Sequence, residues 1–176
     1  MPDNKEYLNN KFLEKLIKKF KKSQQEKVKF QFLLEDIKLS AETRAKNNKE
    51  PIHSLEEYTE NYNRASQDYY DSEKELANAF YILSEHLIIY AKDIITDPED
   101  SMQEGVVTCF QRLNKFDPDK GKAFNYLTTC VLNHYRQHWR TYKNYKQFKE
   151  KYKDYLCSKY NNVVIKNGKE IHLGEE

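Results

Sequence analysis

An all-α fold is predicted for this 176-residue chain on three grounds. Gly and Pro number only four each, while Lys, Glu and Leu, all strong helix formers, are abundant. No alternation of apolar and polar residues precedes Val163. Apolar residues instead recur at helical spacing, and the length suits one compact domain with an extension.

Leu8, Phe12, Leu16, Ile17 and Phe20 alternate with Lys11, Lys15, Lys18, Lys19, Lys21 and Lys22, which predicts a short, basic, amphipathic helix. A second helical stretch carries Val28, Phe32, Leu33, Ile37 and Leu39. The Lys- and Asn-rich run from Glu42 to Pro51 reads as a linker, so residues 1–50 form a basic N-terminal helical extension. Residues 51–75 are an acidic, Tyr-rich insertion, with Glu56, Glu57, Glu60 and Asp68 beside Tyr58, Tyr62, Tyr69 and Tyr70. Two readings stand for it: an acidic DNA-mimicking flap, or a solvated helix whose tyrosines rest on a neighbour.

The main domain spans 76–157. Leu76, Phe80, Leu83, Leu87, Ile88, Ala91 and Ile95 lie on one helical stripe and should be the core's spine. Asp97 is placed to cap the next helix, with Pro98 at its first position, where a missing N–H costs nothing. That helix is expected from Pro98 to about Phe116, with Met102, Cys109, Leu113 and Phe116 turned to the core. The DPDKG run Asp117–Gly121 is a tight turn in which Pro118 presets φ and Gly121 accepts a positive φ. A last helix runs from about Ala123 into the 150s. In the 158–176 tail, Val163–Ile165 and Glu170–Leu173 flank an Asn-Gly pair and suggest a small hairpin.

Catalytic patterns are absent. His134 and His138 have metal-ligand spacing, but the intervening YRQ is not a Glu-bearing HExxH and no neighbouring Cys, Asp or Glu completes a first shell on that helix. No metal, cofactor or enzymatic role is expected. Cys109, Cys130 and Cys157 are too scattered for a disulfide framework and suggest reduced intracellular thiols. MPDNKEYLNNK lacks a signal core, no apolar run reaches bilayer length, and a cytoplasmic protein without membrane contact is expected.

From Arg136 to Lys153, seven bases face a single acid, Glu150, and are interleaved with Trp139, Tyr142 and Tyr145. Bases neutralise phosphates, and aromatic faces stack on unpaired bases. Melted or melting DNA is the expected ligand; the alternative is that the aromatics face the core and the lysines are merely solvated.

The stretch DSMQEGVVTCFQRLNKFDPDKGKAFNYLTTCVLNHYR, from Asp100 to Arg136, resembles region 2 of bacterial sigma factors. Asp100, Gln103, Glu104, Gly105, Phe116, Asp117, Gly121, Phe124 and Tyr126 fill the places of that pattern. The resemblance implies a sigma region 2-like helical domain. Its first helix would dock on the clamp helices of the large subunit of host core RNA polymerase through Asp100, Gln103, Glu104 and Phe110. Its second would melt and read the promoter −10 element. Lys122 and Phe124 fall where the family has melting aromatics, or Tyr126 does after a one-residue deletion. Leu127, Cys130 and Val131 stand where it usually has Tyr and a Trp pair. Asn133, His134 and Gln137 would meet base edges, and Arg136 and Arg140 would hold phosphate, with Trp139 and Lys143 completing the DNA-binding set.

No second helix-turn-helix follows, so no region for the −35 element is expected. A region 2 alone, with YLTTCVLN after the turn, is similar to the late-transcription sigma factors of large tailed bacteriophages, acting in an infected bacterial host. That similarity names a phage sliding clamp or co-activator as a further partner, although EIHLGEE is a poor clamp-binding tail. The competing reading is a non-sigma helical protein that coats nucleic acid with Lys143 to Lys153.

Overall fold

The computed structural model describes residues 8–46, 55–161, 163–166 and 169–172. Four helices dominate it: α1 (Asn10–Lys46), α2 (Leu55–Tyr90), α3 (Pro98–Leu113) and α4 (Ala123–Asn161). A 3-10 turn at Lys92–Ile94 joins α2 to α3. After α4, strands β1 (Val163–Lys166) and β2 (Lys169–His172) pair antiparallel, with Lys166 opposite Lys169. This is the expected hairpin, with each strand one residue longer toward the Asn-Gly pair; Leu173 lies outside the described residues.

The long helices follow from the placement of their breakers. Neither 10–46, 55–90 nor 123–161 contains Gly or Pro, so nothing interrupts the i to i−4 ladder. Pro98 stands at the first residue of α3, and Pro118 and Gly121 lie in the turn before α4. The two N-terminal helices expected from the sequence are therefore one. The expected linker is helical as far as Lys46, and residues 47–54 lie outside the described residues.

Helices α1 and α2 run antiparallel. Lys19 pairs with Glu75 at 2.7 Å, Ser23 shares a buried 2.6 Å hydrogen bond with Ser72, and the Lys27 ammonium lies 4.3 Å from the ring centre of Tyr69 and 4.6 Å from that of Tyr70. Phe20 packs on Tyr69 at 5.5 Å. Of the two readings of the acidic, Tyr-rich segment, these contacts favour tyrosines resting on a neighbour. The segment is the first half of α2, and the boundary at 75/76 falls inside a continuous helix.

The core gathers Leu13, Leu16, Ile17 and Phe20 of α1, Leu76, Phe80, Leu83 and Leu87 of α2, Cys109 and Leu113 of α3, and Leu127, Val131 and Tyr135 of α4. Ile88 and Ile95 pack at its edge. Beyond it, the second half of α1 and the first half of α2 form a two-helix arm. There Leu34, Ile37 and Ala65 are buried, whereas Val28, Phe32, Leu33 and Leu39 are exposed. A two-helix contact covers one face of each helix only, so four of the five apolar residues named for that stretch meet solvent.

Candidate nucleic-acid and polymerase interface

Helix α3 begins as its sequence requires. The Asp97 carboxylate accepts hydrogen bonds from the backbone N–H groups of Glu99 and Asp100, at 3.0 and 3.2 Å, with Pro98 behind the cap. Its inner face carries Ser101, Gly105, Thr108 and Cys109, mostly small residues that let α4 approach closely. Gly105 shows the need most directly. A Cβ there would stand 2.5 Å from the hydroxyl oxygens of both Ser84 and Tyr135. Tyr135, 1% exposed, donates a 2.8 Å hydrogen bond to the Ser101 carbonyl, locking α4 to the first turn of α3. Burial, with smaller contributions from nearby Cys109 and Glu104, pushes its phenol up to about 12, while the Ser84 hydroxyl opposes the shift. Burial likewise raises the Cys109 thiol to about 12, making it a packing group rather than a nucleophile.

Outward, α3 presents Asp100, Gln103, Val107 and Gln111. Val107 is 53% exposed, and sequence reasoning passed over it. The available signal was an apolar residue off the Met102, Cys109 and Leu113 stripe, one turn from Gln103. Glu104 is half-buried and meets His134 Nε2 of α4 at 3.0 Å. Phe110 is also half-buried, with its ring edge-on to Phe80 at 4.9 Å and to Phe20 at 6.1 Å. Its ring is committed to packing first.

The turn closes without help from a special glycine conformation. Asp117 accepts from the Asp119 N–H through its side chain at 3.0 Å and from the Lys120 N–H through its carbonyl at 3.2 Å. Gly121 does not adopt the positive φ expected of it, and a Cβ there would meet nothing within 4 Å. The Asp117 side chain and Pro118 already define the reversal. At the start of α4, the Asn10 side chain of α1 accepts from the Phe124 N–H at 3.2 Å.

The DNA-binding set separates by burial. Phe124 and Tyr126 pack against the core, and the Tyr126 ring lies 5.6 Å from Phe116 while its hydroxyl donates to the Arg112 carbonyl at 3.4 Å. Burial first, then the neighbouring Cys130, raises the Tyr126 phenol. Lys122, Asn133, Arg136, Gln137, Arg140 and Lys143 are exposed, and on a helix of 3.6 residues per turn the last five share one face. Arg136 donates to the Asn133 side chain at 3.0 Å. Trp139 is half-buried and stacks on Tyr142 at 5.9 Å. His134, on the flank of that face, is held by Glu104, so the two predicted sets touch at this pair.

Such a surface can bind, orient and stack. Among the described residues, no three His, Cys, Asp or Glu side chains gather as a metal site, and no helix is long and apolar enough to cross a membrane. A cleft of about 550 Å³ between α1 and α2, lined by Lys19, Lys22, Glu26, Asp71, Lys74 and Glu75, carries both charges and lies apart from α3 and α4.

Residues 90–145, about a third of the chain, match the family model for sigma-70 region 2. The matched segment starts at the end of α2 and covers α3, the turn and the first 23 residues of α4. No curated protein and no solved structure matches the chain.

Proposed function

We propose that this protein is a minimal phage-type sigma factor. It binds host core RNA polymerase, recognises an AT-rich −10-like late promoter element and promotes melting, with no chemistry of its own. The observation that carries this reading is the coincidence of the sigma-70 region 2 match at 90–145 with one rigid unit, α3 locked to α4 through Gly105 and Tyr135. In this reading the outer face of α3, with Asp100, Gln103 and Val107, meets the clamp helices of the polymerase. The exposed face of α4 from Asn133 to Lys143 meets promoter DNA: Arg136, Arg140 and Lys143 hold phosphate, and Asn133 and Gln137 meet base edges. Leu127 and Val131, at positions where the family has aromatics, are fully buried in the core, so melting must draw on other residues. That departure supports a specialised late factor over a housekeeping one, acting in the cytoplasm of an infected cell.

The test is co-migration with purified core polymerase. Gln103→Ala combined with Glu104→Ala should abolish it, whereas His134→Ala, which breaks the same contact to Glu104 from the other side, should leave it intact. Wild-type protein that fails to bind core, or a double variant that binds unchanged, would sink the proposal. Trp139→Ala should retain core binding and lose permanganate-reactive thymines on a late-type promoter.

A further inference from the structure

Beyond the region 2 match, α4 continues to Asn161, and among the described residues almost nothing packs on it. From Arg140 to Lys159 all residues are exposed except half-buried Leu156. Tyr145, Phe148, Tyr152 and Tyr155 are 55%, 64%, 53% and 57% exposed. Rings so placed normally signal an absent partner, and an isolated helix of this length, roughly 30 Å, is only marginally stable alone.

The rings are ordered along the helix. Trp139, Tyr142, Tyr145 and Phe148 follow an i, i+3 row, and Tyr152 and Tyr155 extend it. Three pairs lie nearly parallel: Trp139 and Tyr142 at 5.9 Å and 24°, Phe148 and Tyr152 at 6.2 Å and 8°, Tyr152 and Tyr155 at 6.5 Å and 27°. Lysines border the row, with the Lys149 ammonium 4.6 Å from the Tyr145 ring centre. At 100° per residue Lys149 and Lys151 lie within about 100° of both Phe148 and Tyr152, one on each side, whereas Glu150 falls opposite them.

We propose that α4 from Trp139 to Tyr155 is a stacking track for single-stranded nucleic acid, extending the strand contact beyond the sigma-70-like segment. Between Arg140 and Lys159, seven bases stand against two acids, so the partner must be anionic and a second copy of this helix would be repelled. An acidic helix would call for aliphatic knobs, and this stretch offers only Leu156. Flat rings bordered by ammonium groups fit unpaired bases on a phosphate backbone. The track adjoins the proposed promoter contact at Trp139. It rests on that reading only for the direction of the strand.

The experiment uses the full chain without polymerase, measuring binding of fluorescent dT and rU oligonucleotides of about ten and about twenty-five residues. The triple variant Tyr145→Ala, Phe148→Ala, Tyr152→Ala should lose at least about a hundredfold in affinity for the longer oligonucleotides. Its circular dichroism and core-polymerase binding should not change. Tyr145→Phe with Tyr152→Phe should keep the affinity, because stacking needs the ring and not the hydroxyl. A preference for dT or rU assigns the track to DNA or RNA, and either supports it. Unchanged affinity in the alanine variant, full affinity in a triple leucine variant, or tighter binding to duplex would overturn it. So would self-association or capture of an acidic polypeptide that the alanine variant abolishes. Loss of core binding by the wild-type protein, with oligonucleotide binding intact, would sink the sigma reading and leave the track standing.

Discussion

The two halves of α4 are both dense in aromatics and have opposite fates. From Ala123 to Arg140 the helix lies in a trough made by α1, α2 and α3 and turns Leu127, Val131 and Tyr135 into the core. From Thr141 to Lys159, about as rich in aromatics and with six bases against the first half's two, only Leu156 is even half-buried. An aromatic in a basic helix therefore has no fixed meaning. Tyr135 is a structural bolt, Tyr126 a core-edge packer, and Tyr152 a free face, although each is a tyrosine among cations.

Removing rings from each half breaks or sharpens the contrast. Tyr135→Ala should cost about 3 to 5 kcal/mol, a large share of a domain's stability, read as a shifted denaturation midpoint. A loss below about 1 kcal/mol would show that the α3–α4 lock is looser than its geometry. Gly105→Ala attacks the same lock from the other side and should cost about 1 to 3 kcal/mol, since Ser84 and Tyr135 must move to admit the methyl group. Phe148→Ala with Tyr152→Ala should sit at the other extreme, within about 0.5 kcal/mol of wild type. A cooperative loss there would mean that the outer half is packed after all.

Alkali gives a subtler test. The Tyr135 phenol titrates at about 12 in the folded protein against 10.0 when exposed, so the native state holds its proton more tightly. Stability from this group is fully present below pH 10 and is lost as pH rises towards 12. Tyr69 and Cys109 shift in the same direction, so the informative quantity is the difference between wild type and Tyr135→Phe. The variant should fall less steeply with pH between 10 and 12; parallel curves would remove Tyr135 from the account. The smallest effect is chemical. A thiol reagent should modify exposed Cys157 at once and spare buried Cys109 until the core opens.

The contrast also changes how the melting residues can be tested. Phe124 and Tyr126 pack against the core, so their alanine variants will lose stability together with any DNA contact. Among the described residues the ring partner of Trp139 is its stacked neighbour Tyr142, which makes it the cleaner probe.

Much of this was legible in the residues. Asp97 and Pro98 define the start of α3 because capping chemistry is local. The Leu76 to Ala91 stripe defines the core because helical spacing places its side chains on one face. The DPDKG run defines the reversal for the same local reason, although Asp117 closes it and the φ of Gly121 does not. Periodicity states that a helix has an apolar face but not how far a neighbour extends along it. So Phe32 and Leu39, apolar residues at helical spacing, meet solvent, and Tyr69 of α2 gained a partner in α1 across a gap in sequence.

The sequence by itself determined where α3 starts and where the chain reverses before α4, which faces are apolar, and that bases and aromatics crowd α4. Only the tertiary structure decided which aromatics are spent on the core, that Phe110 belongs to a ring cluster, that Glu104 holds His134, and that Gly105 is required by two hydroxyls from other helices. The reason is the range of the interactions. Caps, turns and periodicity act within a few residues and can be read along the chain, whereas burial and close approach depend on segments that meet only after folding.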